Sequence, residues 1–243
     1  MLTHTVNDKL KGIQGFAVDI DGTITENGNG VVFLPAVSKL RFLVKCGYKV
    51  IFVTGRSSVE AYVLSIFCGT TKIAVGENGG VIATGPDNFT VLGDIKLCVR
   101  GYELLKQRLR DVTIKPVFNR LSEVVLARTF DMEAGKLILE ESGLGVYLTD
   151  SRYAFHINQL GVDKANGLVR ALDMLNIHPK NIAAIGDSET DIPLFKKCGI
   201  GIALGHSPQS VKNQATHVVR GNSGRGLSEA IDFVSLNYLR NKT

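Results

Sequence analysis

Residues 16–23, Phe-Ala-Val-Asp-Ile-Asp-Gly-Thr, constrain this chain more than any other segment. The apolar run Phe16–Val18 reads as a buried strand, and two carboxylates one residue apart, Asp19 and Asp21, close it. Gly22-Thr23 then turns the backbone away. In an open α/β sheet, ligands bind just beyond the carboxyl ends of the strands, so acids at a strand tip stand where chemistry is done. Such a pair can hold a hard cation, attack an electrophile or shuttle a proton. A single aspartate there would more simply be a turn or N-cap residue.

The rest of the chain supplies the sheet. Pro35 opens a helix whose apolar residues Val37, Leu40, Leu43 and Val44 recur at helical spacing, and Gly47 closes it. Lys49–Val53 is the next apolar strand. Ser57 with Glu60 forms a capping-box pattern for a helix to Cys68, with Gly69 beyond it, and Lys72–Val75 is a third strand. This βαβαβ order predicts a parallel sheet with right-handed crossovers. From about Thr84 the rhythm changes: a turn cluster at 85–88, helices over 96–109 and 132–141, and strands near 124–128, 146–148 and 153–157. From Asp163 the first rhythm returns, with a helix to Leu175, strands at 182–185, 200–203 and 217–219, and helices at 192–198, near 209–215 and from Leu227 to Leu239. The expected fold is α/β: a Rossmann-like, doubly wound parallel sheet with an inserted, smaller α+β module. The expected division is a discontinuous core of residues 1–83 and 159–243 and an insert of residues 84–158.

Composition narrows the function classes. At 243 residues the chain can bury a substantial core, and 44% hydrophobic with 21% charged residues is ordinary for a globular protein. The net charge of +5 comes without blocks of like charge, which argues against a nucleic-acid tail and leaves room for a small anionic substrate. Cys46, Cys68, Cys98 and Cys198 lie far apart with no Cys-x-x-Cys pair, against a disulfide scaffold or a zinc site. No apolar run suits a signal peptide or a membrane span, so the expected location is cytoplasmic, as a monomer or homodimer without membrane partners.

Three further segments carry polar chemistry at strand tips. Val53-Thr54-Gly55-Arg56 places a hydroxyl and helix N–H groups where a phosphate would bind, although a capped strand-to-helix turn has the same residue types. Lys164 follows Asp163 at a helix start, where it is either a surface lysine or a fixed cation. Ile182–Asp191 is an apolar strand ending in Gly-Asp with a second Asp four residues on, so that Asp187 and Asp191 can converge. Oxygen ligands from two strand tips suit Mg²⁺.

Taken in order, Asp-x-Asp-Gly-Thr, a strand-tip Thr, Lys and Gly-Asp-x-x-x-Asp resemble the motif set of the haloacid dehalogenase-like (HAD) phosphatases over the whole chain. Gly76-Glu-Asn-Gly-Gly80 is similar to the signature that precedes the cap in the Cof-type branch with α/β (C2) caps. The 66–80 stretch, Asn119-Arg120 with Glu123, and His156 resemble the small archaeal-type phosphoglycolate phosphatases. That resemblance implies a Mg²⁺-dependent phosphomonoester hydrolase acting on a small phosphorylated metabolite. Asp19 would be the nucleophile and Asp21 the general acid/base. Asp19, Asp21 (through its backbone carbonyl), Asp187 and Asp191 would serve the metal. Thr54, Gly55 and Lys164 would hold phosphate, and Asn119, Arg120 and His156 are candidate substrate contacts. Arg120 has a plainer alternative in pairing with Glu123, and Arg225 in the glycine-rich 221–226 segment reads as surface loop. Sugar-phosphate phosphatases and phosphomutases share these motifs; a receiver-type signalling domain would lack the insert and the late Gly-Asp-x-x-x-Asp.

Overall fold

Strand β1 (Gly15–Val18) is fully buried and alternates its side chains between two cores. Phe16 and Val18 face one, Ala17 the other. The computed structural model describes residues 12–26, 30–151 and 153–239. After β1 come the short pair β2 (Thr25–Glu26) and β3 (Val31–Val32), then α1 (Leu34–Lys45), β4 (Lys49–Val53), α2 (Ser58–Cys68) and β5 (Ala74–Gly76). Strands β6 (Val81–Ala83) and β7 (Phe89–Val91) form a hairpin. The smaller unit contains α3 (Ile95–Arg108), β8 (Val124–Leu126), α4 (Met132–Glu141), β9 (Val146–Asp150) and β10 (Phe155–Gln159). The chain then returns through α5 (Lys164–Asp173), β11 (Ile182–Gly186), α6 (Ile192–Lys197), β12 (Ile200–Ala203), α7 (Gln209–Lys212), β13 (His217–Val218) and α8 (Ser223–Tyr238).

Among the described residues the large sheet has eight strands in the order β13-β12-β11-β1-β4-β5-β6-β7. The chain winds one way from β1 to β5 and the other way from β11 to β13, so β1 and β11 flank the topological switch point. Register makes their tips level: Val18 pairs with Phe52 of β4 and with Ile185 of β11. Helices α1, α2 and α8 cover one face through Val37, Leu40, Ala61, Leu227 and Ile231, and α5 and α6 the other through Leu168, Leu172, Leu194 and Phe195. Each of the fully buried leucines among them contributes about 1.5–3 kcal/mol. The α2 capping box forms as expected, with Ser57 Oγ accepting from Glu60 N and Glu60 Oε2 accepting from Ser57 N, and Gly69 ends the helix at φ 66°.

Two boundaries differ from expectation. The turn at 85–88 closes the β6–β7 hairpin, and β7 pairs antiparallel with β6, so the large sheet takes in residues 89–91 of the segment expected as insert. Local turn chemistry could not tell a hairpin that extends one sheet from a turn that begins another. Helix α8 starts at Ser223, four residues before Leu227, and Arg225 is an exposed residue of its first turn. Glycine lowers helix propensity, but a Cβ at Gly224 would lie 2.1 Å from Phe33 Cβ, so close packing places the helix there.

The smaller unit is a three-stranded antiparallel sheet, β8-β10-β9, with α3 and α4 packed on one face. Along β10, Phe155 and Ile157 join that core with Leu105 and Leu139. The intervening His156 points to the opposite face, by the period of two that every strand obeys. The unit's two connections meet where Asp94 N donates to Gln159 Oε1 at 2.8 Å.

Candidate active site

Three strand tips and one helix start build the floor of a cavity of about 1090 Å³ that lies between the large sheet and the smaller unit. Asp19 and Asp21 follow β1, Thr54 and Gly55 follow β4, Asp187 follows β11, and Lys164 begins α5; all line it. Gly22 has φ 78°, and a Cβ there would lie 2.7 Å from Asp187 Oδ2, so the Asp-Gly-Thr turn needs glycine to let Asp187 in. Thr23 Oγ1 donates to Asp187 Oδ1 at 2.9 Å.

Lys164 is 3% exposed, and its Nζ donates to Asp19 Oδ1 at 2.8 Å and Asp191 Oδ1 at 2.6 Å. It is a fixed cation. Asp191 is fully buried behind the cavity wall, and its Oδ2 accepts from Asp187 N, Ser188 N and Ser188 Oγ. Carboxylate oxygens of Asp19, Asp187 and Asp191 lie within 4.8 Å of one another. Burial drives the Asp19 pKa well above the carboxylate range, with Asp191 and Asp187 adding to the rise and Lys164 opposing it. Burial would lower the Lys164 pKa, but Asp19 and Asp191 outweigh it and raise it. Three buried acids around one ammonium form a hard-oxygen set short of positive charge, and such a set fits a divalent cation.

Asp21 is engaged elsewhere. Arg56 Nε and Nη2 donate to its two oxygens, each at 2.7 Å, and Nη1 donates to Glu60 Oε1 at 2.9 Å. The hydrogen bond to Asp21 is the main cause of a raised Arg56 pKa. Arg56 braces the loop, as its position suggests, and does so by gripping an acid of the opening octet. Thr54 Oγ1 accepts from Arg56 N at 3.1 Å, which leaves its hydroxyl hydrogen available.

The roof comes from the smaller unit. Arg120, Ser151 and His156 line the cavity together with Pro116, Phe118 and Tyr153. Both alternatives for Arg120 meet in one geometry: Nη1 lies 3.3 Å from Glu123 Oε1 and donates to Gly55 O at 2.9 Å, while the side chain still lines the cavity. His156 is 2% exposed, with Nδ1 3.0 Å from Glu123 Oε2 and Nε2 2.9 Å from Ser151 Oγ. Asn119 is exposed and is not among the lining residues.

Residues to which motif reading gave no role tie roof to floor. Glu77 and Asn78 adopt φ 53° and 52°, a costly conformation for non-glycine residues that marks an over-determined turn. Glu77 Oε2 accepts from Leu121 N, Ser122 N and Ser122 Oγ, and Asn78 Nδ2 donates to Glu123 Oε2 at 3.0 Å. Burial, then the charge of Glu123, raises the Glu77 pKa. Burial would raise Glu123 too, but His156, Arg120 and Asn78 outweigh it and hold it below the ordinary value. Also missed was His206, whose Nε2 lies 3.2 Å from Asp187 Oδ2. Glu77 and Asn78 were visible only as part of a Gly-Glu-Asn-Gly-Gly signature, and nothing in sequence spacing pointed to His206. Among the described residues no helix is long and apolar enough to cross a membrane.

A profile of the haloacid dehalogenase-like hydrolases matches residues 16–114 and 118–231. The chain is 48% identical over 217 residues to a phosphoglycolate phosphatase of Nitrosopumilus maritimus strain SCM1, covering 89% of this chain and 94% of that protein. A crystal structure from Thermoplasma acidophilum matches with a TM-score of 0.81 at 22% identity, covering 92% and 99%. A sugar phosphatase of HAD subclass IIB matches at 0.75 and 15% identity, with the same coverage. Likeness at those two identities is of fold.

Proposed function

We propose that this chain, which belongs to the haloacid dehalogenase-like hydrolases, hydrolyses 2-phosphoglycolate to glycolate and phosphate through an aspartyl-phosphate. The observation that carries the reading is one cavity holding, on its floor, a carboxylate fixed by a buried lysine and, on its roof, an arginine nine-tenths buried with an unpartnered Nε. Phosphoryl transfer asks mainly for positioning and charge stabilisation. An Asp19 oxygen attacks phosphorus as the bond to the leaving oxygen breaks. Asp21 gives that oxygen a proton, then takes one from the water that attacks the aspartyl-phosphate, and Asp19 is regenerated. To do so Asp21 exchanges the Arg56 fork for the leaving group, while Arg56 keeps Glu60.

The donors around phosphate follow from the hydrogen bonds already made. Lys164 spends two N–H groups on Asp19 and Asp191 and has a third for a phosphoryl oxygen. Thr54 O–H is likewise left to donate, because its oxygen accepts from Arg56 N. Asp19 and Asp187 would hold Mg²⁺, with the Asp21 backbone carbonyl. Asp191, with both oxygens taken by protein donors, would orient Asp187 and Lys164. Bound Mg²⁺ supplies charge neutralisation at the phosphoryl oxygens.

At the other end, a guanidinium matches a carboxylate better than a neutral sugar, which favours phosphoglycolate over hexose phosphates for Arg120. The test is a phosphomonoester panel with Mg²⁺ on the full chain and its Arg120→Ala variant, scored by release of inorganic phosphate. The expected result is a wild-type preference for phosphoglycolate that Arg120→Ala weakens about ten- to a hundredfold while sparing a generic aryl phosphate. Preference for hexose phosphates would promote the sugar-phosphatase reading, and transfer of phosphate to a second sugar without its release would indicate a mutase.

A further inference from the structure

Ser151 sits in the turn between β9 and β10, on the cavity wall, and no motif singles it out. Its hydroxyl oxygen is 2.9 Å from His156 Nε2 and also accepts from Ala154 N at 3.2 Å. His156 Nδ1 in turn meets Glu123 Oε2, and Glu123 is 1% exposed. An ionised carboxylate only accepts, so Nδ1 must carry hydrogen and donate to it. We infer that Ser151 is a specificity-determining residue that donates its hydroxyl hydrogen to the carboxylate end of the substrate, and that Glu123 is the positioning residue acting on it through His156. This rests on the phosphoglycolate reading above and adds to it the groups that make the distal end selective.

The direction of the relay follows from counting donors. When His156 carries hydrogen on both nitrogens, Nε2–H donates to Ser151 Oγ, and Ala154 N–H fills the oxygen's remaining lone pair. The serine hydrogen is then the only part of that hydroxyl left to make a bond outward. At present it reaches Ala154 O at 3.2 Å, a long contact to a neutral acceptor. A substrate carboxylate in the cavity is a stronger acceptor, because hydrogen bonds to charged groups are shorter and roughly twice as strong. Glu123 fixes the ring through Nδ1, and the serine hydrogen that now meets Ala154 O is the one that turns to the substrate. With His156 neutral, Nε2 would accept from Ser151 and the hydroxyl would present only lone pairs to an anion.

The network is also anchored for this work. Glu123 takes Asn78 Nδ2 from the floor and lies beside Arg120, which reaches Gly55 O next to Thr54. The distal groups are therefore held in register with the phosphate loop. The same phosphate without a carboxylate leaves Arg120 Nε without an acceptor.

The experiment measures kcat and KM of the full chain with Mg²⁺ on 2-phosphoglycolate and on ethyl phosphate, which has the same carbon count and no carboxylate. Ser151→Ala should raise the phosphoglycolate KM about tenfold or more and move the ethyl phosphate constants far less. Ser151→Thr should restore much of the loss, because it keeps the hydroxyl. Glu123→Gln, compared at matched melting behaviour, should raise the phosphoglycolate KM by a larger factor than the ethyl phosphate KM. Should the wild type prefer phosphoglycolate and Ser151→Ala leave that preference intact, the role of Ser151 is overturned while the phosphoglycolate reading stands. Equal losses on both substrates in Ser151→Ala and Glu123→Gln mean a structural role only and overturn it as well. No wild-type preference between the two substrates removes the phosphoglycolate reading, and this inference with it.

Discussion

The floor of the cavity sets Asp19, Asp187 and Asp191 around a single ammonium, whereas the roof sets Glu123 against Arg120, His156 and Asn78 and gives Glu77 three donors from residues 121 and 122. Both clusters are buried, and burial of unpaired charge is costly. The floor leaves that cost standing, which is why Asp19 shifts upward; the roof cancels much of it, which is why Glu123 shifts downward despite its depth. One cluster waits for a cation and for a phosphoryl group. The other pairs most of its groups within the protein, leaving Glu77 Oε1 and Arg120 Nε over, and serves as a joint between two parts of the molecule. A buried acid therefore says little about function until its partners are counted.

The sharpest way to break this contrast is at the nucleophile. Asp19→Asn should lower turnover by about 10⁴-fold or more. Its effect on stability should run the other way. A carboxylate whose folded pKa lies above its unfolded one favours folding only at acid pH, and that contribution is lost as pH rises through the ordinary carboxylate range and up to the folded value. At pH 7, without metal, the neutral asparagine should therefore leave the melting temperature unchanged or higher. A clear drop would show that the floor's charges are balanced after all.

Next in size is the metal. Asp187→Ala should cost more than the roughly 10–100-fold seen when partners behind a metal ligand are removed. EDTA should silence the wild type and Mg²⁺ restore it. Mg²⁺ at a hundredfold excess over its dissociation constant should also stabilise the wild type by about 2.7 kcal/mol, and the variant much less, in a thermal shift series. Activity in a metal-stripped sample would defeat the account.

The smallest effect belongs to the roof. Glu123→Gln keeps the hydrogen-bonding shape and removes the charge, a loss of about 1–2 kcal/mol at neutral pH. Because the Glu123 pKa is lowered in the fold, its contribution is fully present above its unfolded value of about 4.3 and disappears as pH falls through the folded value. Urea midpoints of wild type and variant should thus converge on acidification. A gap that persists at strongly acid pH would mean that charge is not what Glu123 contributes.

Much of the floor was legible because strand tips announce themselves: an apolar run that stops at Asp19, Val53 or Gly186 fixes both where a side chain stands and which way the sheet faces. Lys164 was readable only by resemblance, since a lysine at a helix start looks like any surface lysine until Asp19 and Asp191 close on it. The roof resisted for a different reason. Its groups come from a loop at 120–123, a turn at 151 and one face of β10, and their convergence depends on how the smaller unit seats on Glu77 and Asn78, which no local period encodes. Asn119 shows the cost of reading neighbours together, for Arg120 turns inward and Asn119 stays in solvent. The β7 strand and the early start of α8 were lost to the same cause, tertiary contacts at 89–91 and Gly224 overruling local preference.

The bond from Asp94 N to Gln159 Oε1 has a consequence for how such molecules diversify. The chain leaves the large sheet and comes back to it through one doorway, its two jambs laced together by the Gln159 side chain. Whatever is strung between those jambs can lengthen, shrink or be exchanged without rethreading a strand of the sheet behind it. The lineage is thereby free to trial new roofs over an unchanged reaction. The limit on that freedom is the short reach of residues 120–123 to Glu77 and Asn78, which any successor would have to reinvent.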